Sequence, residues 1–193
     1  YTSGSTGLPK GVEILHGNVL NYALDFIDRF HMEHTDRVLQ FGTINFDLSV
    51  EEIFPTFLSG ATLVLYPEQK IDSMAQFLAC CDQYRITQIS LTTAYWNEFT
   101  MYLLAEKASL PACLKLVIFG GEQANPSLVA AWLEQFGSQV RLINDYGPTE
   151  TTVVVSHQDL TPPAEQWRNR REIPIGKPIA NVQIYVLDEA QHP

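Results

Sequence analysis

The sequence predicts an α/β fold with a largely parallel sheet flanked by helices. Two observations carry this: short β-branched or apolar runs alternate with helical periodicity along the chain, and polar, glycine-rich turns follow several of the runs. The chain has 193 residues, 46% hydrophobic and 18% charged, a size and balance suited to one core.

The first eleven residues, Tyr1 to Gly11 (YTSGSTGLPKG), combine three glycines, several hydroxyls and Lys10, the makings of an anion-holding loop. Lys10 is followed by Gly11, so the loop is not of the Walker type, which ends Gly-Lys-Ser/Thr. Gly11 to Leu15 reads as a short strand, and Asn18 as the cap of a helix with Val19, Leu20, Ala23, Leu24, Ile27 and Phe30 on its apolar side. Arg37 to Gly42 is a strand run. Ser49 and Glu52 form a capping-box pattern for a second helix, with Val50, Ile53, Phe54, Phe57 and Leu58 apolar and Pro55 as a kink. That leaves Asp47 free of the cap.

Ala61 to Tyr66 reads as a strand, and Ser73 with Gln76 as a capping box before a helix carrying Met74, Phe77, Leu78 and Cys81. Ile86 to Leu91 is a strand, Ala94 to Lys107 a helix, and Lys115 to Phe119 a strand ending at Gly120-Gly121-Glu122. Pro126 opens the helix to Phe136. Gln139 to Ile143 is a strand running into Asn144 to Glu150, and Thr151 to Ser156 is β-branched and strand-like. Gln158 to Arg171 reads as an exposed loop. In a parallel sheet, ligands bind beyond the carboxyl ends of the strands, where Phe46-Asp47, Gly120 to Glu122 and Asn144 to Glu150 all fall.

The net charge of -10 argues against nucleic-acid and anionic-membrane partners. No run approaches the roughly 18 apolar residues that cross a membrane. Cys80, Cys81 and Cys113 lack metal spacing and read as reduced, buried thiols of a cytoplasmic protein. The chain opens inside a motif and without Met, so it reads as part of a longer protein.

Five ordered stretches together resemble the adenylation domains of nonribosomal peptide synthetases, within the superfamily of acyl-adenylate-forming, AMP-dependent ligases. They are Tyr1 to Gly11, Asn45 to Phe54 (NFDLSVEEIF), Gly120 to Glu122, Asn144 to Thr152 (NDYGPTETT) and Ile175 to Asp188 (IGKPIANVQIYVLD). The resemblance implies that residues 1–193 are the core of the large N-terminal subdomain, with the small C-terminal subdomain outside the chain. It implies that an amino acid and Mg-ATP give an aminoacyl-AMP and pyrophosphate, followed by transfer to a phosphopantetheine thiol. The partners would be peptidyl-carrier and condensation domains of the same assembly line.

By the same resemblance Thr2, Ser3, Gly4, Ser5, Thr6, Gly7 and Lys10 would hold phosphates, and Gly121, Glu122, Asn144, Asp145, Tyr146, Gly147 and Thr149 would surround the nucleotide. Asn144 would bind the adenine amino group and Tyr146 would stack on the ring. Thr149, Glu150 and Lys10 are the catalytic candidates, Glu150 as the Mg²⁺ ligand. Asp47 would pair with the substrate ammonium, which favours an amino acid over a fatty or aryl acid. Asp47, Leu48, Glu51, Ala94, Ile118, Gly120, Asp145, Val153 and Val154 would line the substrate pocket. Glu51 and Asp145 are two extra carboxylates there, and a buried carboxylate calls for a cation, so a lysine- or ornithine-like side chain is expected. The alternatives are an acyl-CoA or aryl-acid ligase of the same superfamily, and a non-catalytic nucleotide-binding module. The isolated chain is expected to show exposed apolar surface and little adenylation activity.

Overall fold

A computed structural model describes residues 1–2, 7–65 and 72–192. Seven strands form one sheet in the order β2-β1-β3-β4-β5-β6-β7. The strands are β1 (Arg37–Gln40), β2 (Thr62–Leu65), β3 (Gln88–Thr92), β4 (Leu116–Gly120), β5 (Arg141–Tyr146), β6 (Ser156–Leu160) and β7 (Lys177–Pro178). Strands β1 to β5 run parallel, and β6 and β7 are antiparallel additions at one edge. The helices are α1 (His16–Phe30), α2 (Leu48–Ser59), α3 (Met74–Gln83), α4 (Thr93–Glu106), α5 (Pro126–Phe136) and the short α6 (Glu165–Arg168).

Strand alternation sends side chains to two cores. On one face Ile89, Leu91, Val117 and Phe119 meet Phe77, Trp96, Phe99 and Trp132 of α3 to α5. Trp96 stacks on Phe119 with ring centroids 4.2 Å apart. On the other face Val38, Ile118 and Ile143 meet Tyr22 and Phe26 of α1. Cys80 and Cys81 are buried free thiols, as expected, and burial pushes the Cys81 thiol well up. Cys113 is half-buried and its Sγ sits 3.4 Å from Ile86 O. Among the described residues no helix is long and apolar enough to cross a membrane.

Several local expectations change. Gly11 to Leu15 is not a strand; the segment's pairing is a single antiparallel bridge between Thr2 and Lys10. Helix α1 begins two residues before Asn18, whose Oδ1 reaches back to accept from Leu15 N–H at 3.2 Å. The Ser73 cap forms, with Gln76 N–H donating to Ser73 Oγ. The Ser49–Glu52 box does not: Ser49 Oγ donates to Phe46 O, and Glu52 turns inward to the end of β1. Consequently α2 buries Glu51, Glu52 and Thr56 while Phe54, Phe57 and Leu58 face out. These three, with Leu20 and Leu24 of α1, form the exposed apolar surface that was expected. Pro55 sits inside the helix.

The β-branched run Thr151 to Ser156 folds back on itself instead of forming a strand. Thr149–Thr151 is a 3-10 turn, and Thr152 and Val153 adopt left-handed φ of 70° and 64°. The strand follows as β6, one element later than expected. Residues 158–171 are not an exposed loop either: Leu160, Ala164 and Trp167 join the core, and Trp167 Nε1 donates to Thr161 O at 2.7 Å.

Candidate active site

The carboxyl ends of β1, β3, β4 and β5 bring the motif segments to one edge of the sheet. Thr93 Oγ1, at the start of α4, lies 3.0 Å from Gly120 O and 3.1 Å from Glu122 O, pinning the turn after β4. Gly120 has to be glycine: a Cβ there would lie 2.7 Å from Asp145 O on β5. Gly147 faces the same constraint, since its Cβ would come within 2.3 Å of Val153 O in the folded-back run.

Three successive residues of β5 border two spaces, and Asp145 borders both. Asn144 and Tyr146 border a cleft of about 580 Å³ also lined by Gly121, Glu122, Gln123, Ala124, Gly147, Pro148, Glu172, Ile173 and Ile175. Asn144 is buried and its Nδ2 donates to Pro174 O at 3.0 Å, which fixes the amide and orients its oxygen as the free acceptor. Tyr146 is 47% exposed, a ring available for stacking.

Asp145 reaches a second, smaller cavity of about 60 Å³. Of the expected pocket residues, Asp47, Leu48, Glu51, Ile118, Gly120, Asp145, Val153 and Val154 line it, together with Phe46, Leu91, Thr92 and Phe119. Ala94 does not: it is exposed in the first turn of α4, and Thr92, the N-cap two residues earlier, stands at the cavity instead. Asp47, at the head of α2, makes no cap bond, as expected; its Oδ2 accepts from Thr149 Oγ1 at 2.5 Å.

The floor is electrostatically costly. Glu51 is 2% exposed, and its Oε1 accepts from Ser90 Oγ at 2.5 Å. Burial, and then the nearby Asp145 charge, hold its carboxyl well above the usual range. The buried Tyr22 hydroxyl has no hydrogen-bond partner of good geometry, yet burial and the Glu51 and Asp145 charges push its ionisation well up. Asp145 Oδ2 and Ser156 Oγ are likewise buried and unpartnered. Each such group costs about 1–3 kcal/mol until something pairs with it.

Ser3, Gly4, Ser5 and Thr6 lie outside the described residues. Thr2 and Lys10 exchange two backbone hydrogen bonds, at 2.8 and 2.9 Å, so the two ends of that stretch sit side by side. Gly7 has φ 83°, a conformation that favours glycine, and Lys10 is exposed. Glu150 is exposed in the 3-10 turn and forms no salt bridge among the described residues. One free carboxylate in solvent fits Mg²⁺, which takes few protein oxygens and completes its shell from phosphates and water. Ser90, Tyr22 and His157 were missed. Ser90 and Tyr22 sit in runs that read as plain strand and helix and become site residues once α2 turns Glu51 inward, and His157 does so through the β5–β6 register that sets it opposite Asp145.

A model of the AMP-binding enzyme family matches residues 1–193. The chain belongs to that family. It is 42% identical over its whole length to isonitrile lipopeptide synthase of Streptomyces coeruleorubidus, and 36% identical over 98% of its length to gramicidin S synthase 1 of Brevibacillus brevis. The chain spans 13% of the first and 16% of the second. Among solved structures, the Vibrio cholerae adenylation domain AlmE in complex with glycyl-adenosine-5'-phosphate superposes with TM-score 0.80 at 26% identity, over 99% of this chain and 34% of that one. The Klebsiella oxytoca NpsA N-terminal subdomain, in complex with 3-hydroxybenzoyl-AMSN, shares the fold with TM-score 0.84 at 24% identity, over 100% of this chain and 47% of that one. The resemblance to adenylation domains drawn from the motifs is borne out, as is the α/β architecture of the large subdomain.

Proposed function

We propose that this chain is the core of an adenylation domain that activates an amino acid with ATP, giving aminoacyl-AMP and pyrophosphate. The acyl group then passes to the phosphopantetheine thiol of a peptidyl-carrier domain, in an assembly line that also contains condensation domains and works in the cytoplasm. The observation that carries this reading is the meeting of the two cavities: both are bordered by Gly121, Asp145 and Gly147, so a nucleotide in one would abut a carboxylic acid in the other.

In this reading Asn144 accepts from the adenine amino group, Tyr146 stacks on the base, and Gly121, Glu122 and Gly147 form the surrounding wall. Thr2, Ser3, Gly4, Ser5, Thr6, Gly7 and Lys10 hold the outgoing phosphates. Thr149 steadies the α-phosphate, and Asp47 pairs with the substrate ammonium. Mg²⁺, when bound, neutralises phosphate charge, and Glu150 is its protein ligand. The chain's contribution is mainly positioning and charge placement around an in-line attack.

The side chain of the substrate points to Glu51 and Asp145, and a cationic, diamino-type residue is the ligand that satisfies them. A cavity of about 60 Å³ is narrow, which supports a slim diamino side chain over an aromatic ring. The test is amino-acid-dependent ATP–pyrophosphate exchange by the intact protein across basic, acidic, apolar and aryl acids. Selective exchange with diamino acids is expected. Exchange with apolar amino acids alone refutes the cationic pocket, and exchange with no amino acid refutes the activity.

A further inference from the structure

The small cavity has a buried support that none of the roles above uses. Strand β6 runs antiparallel to β5, with His157 opposite Asp145. His157 Nδ1 lies 2.5 Å from Asp145 Oδ1, and the two side chains are 2% and 5% exposed. Asp145 accepts only, so the imidazole donates from Nδ1. Behind the ring, Nε2 lies 3.8 Å from Asp25 Oδ2. Asp25 is in turn held by Arg29 at 2.8 and 2.9 Å and by Ala180 N–H at 2.8 Å. The edge of Phe30 closes the ring in, with centroids 5.1 Å apart.

Nε2 makes no hydrogen bond, so the ring is held by burial, by the edge of Phe30 and by its Nδ1 bond, which takes up one Asp145 oxygen, while Oδ2 is buried without a partner beside the cavity. A carboxylate pinned through one oxygen has lost its freedom to rotate, and the other oxygen gains a defined direction. We propose that His157 is a specificity-determining positioning residue: by engaging Oδ1 it aims Asp145 Oδ2 into the side-chain cavity, as an acceptor for a cationic or N–H-bearing substrate group. His157 does not touch the substrate, and it acts through Asp145. The inference rests on the proposed role of the cavity in amino-acid recognition.

The experiment compares His157→Leu and His157→Asn in the intact protein by pyrophosphate exchange, with wild type defining the preferred amino acid. Leucine removes the donor; asparagine keeps an N–H close to the position of Nδ1. His157→Leu is expected to raise the KM for the preferred amino acid about tenfold, the worth of one charge-assisted hydrogen bond, with kcat and the KM for ATP within about twofold of wild type. It should also narrow the preference for a diamino acid over its uncharged isostere, and His157→Asn should restore most of both. If His157→Leu does not fold, His157→Gln, which displaces the donor, takes its place with the same expectation. An unchanged amino-acid KM and preference overturns the proposal, as does an equal loss in kcat and in the KM for both substrates. Wild type that prefers an uncharged amino acid refutes the cationic pocket, while the KM shift for that amino acid still decides the role of His157.

Discussion

Replacing Glu52 by glutamine isolates the cost of one buried charge where α2 meets the sheet. Glu52 is fully buried and accepts from the amides of Phe41 at 2.9 Å and Gly42 at 2.9 and 3.2 Å. Burial pushes its carboxyl up to about 7 from an ordinary 4.5, with those amides offsetting only part of the effect. The gap of about 2.5 pH units, at about 1.36 kcal/mol each, amounts to about 3 kcal/mol. Between pH 4.5 and 7 the folded state keeps a proton that the unfolded state has released. The stability contribution is therefore complete below 4.5 and is lost as pH rises through 7, at up to about 1.4 kcal/mol per pH unit. Glutamine cannot ionise. Its oxygen can still accept from both amides, but its NH₂ faces Gly42 N–H and forfeits the third bond, about 1 kcal/mol. Glu52→Gln should thus be less stable than wild type by about 1 kcal/mol at pH 4.5 and more stable by about 2 kcal/mol at pH 8. Urea denaturation of both proteins from pH 4.5 to 8 measures the difference; the Glu52 charge also holds the Glu51 carboxyl up, so removing it favours the variant at high pH in the same direction. A difference that stays flat across that range would falsify the reasoning.

Two further outcomes follow from the same cavity. A diamino acid entering beside Glu51 lowers a carboxyl that burial and Asp145 hold up, so binding favours loss of its proton. Calorimetry in buffers of different ionisation enthalpy should give buffer-dependent heats for the diamino acid and not for its uncharged isostere; identical heats in all buffers contradict this. The Thr149–Asp47 hydrogen bond at 2.5 Å occupies the carboxylate that the proposed function pairs with the substrate ammonium. Thr149→Val should therefore tighten amino-acid binding without nucleotide by about fivefold, near 1 kcal/mol, even as exchange activity falls; weaker binding would show that the bond does not compete.

Much of the fold was legible because strand runs and helix caps are local. The Ser73 cap, the Pro126 start and the β3 and β4 runs need only a few neighbours to form, and they form as read. The residues expected at the pocket came from the resemblance, carried over by motif register, and all but Ala94 line the small cavity. What escaped depends on the tertiary environment. The run Thr151 to Ser156 has strand propensity, yet Val153 to Val155 fold back to close the cavity under Gly147. His157 becomes a site residue only through the register that sets it opposite Asp145.

Helix α2 shows why the misread elements gather at the site. Hydrophobic patterning puts Phe54, Phe57 and Leu58 inside, yet the structure buries Glu51, Glu52 and Thr56. Burying carboxylates in place of aromatic rings runs against the transfer energies of both. Glu52 recovers part of that cost from the amides that end β1, and so holds the segment that leads to Asp47. Glu51 recovers less, from the hydroxyls of Ser90 and Tyr22 against a neighbouring carboxylate. In the proposed function that remainder favours a cation: on reaching Glu51 and Asp145 Oδ2 it gains the attraction of both carboxylates and lets Glu51 give up the proton that burial and Asp145 favour. An uncharged side chain of the same length gains neither. Discrimination in this pocket then comes from the penalty that the empty site already carries, which is how buried polar groups left unpaired by the wrong substrate produce large selectivity.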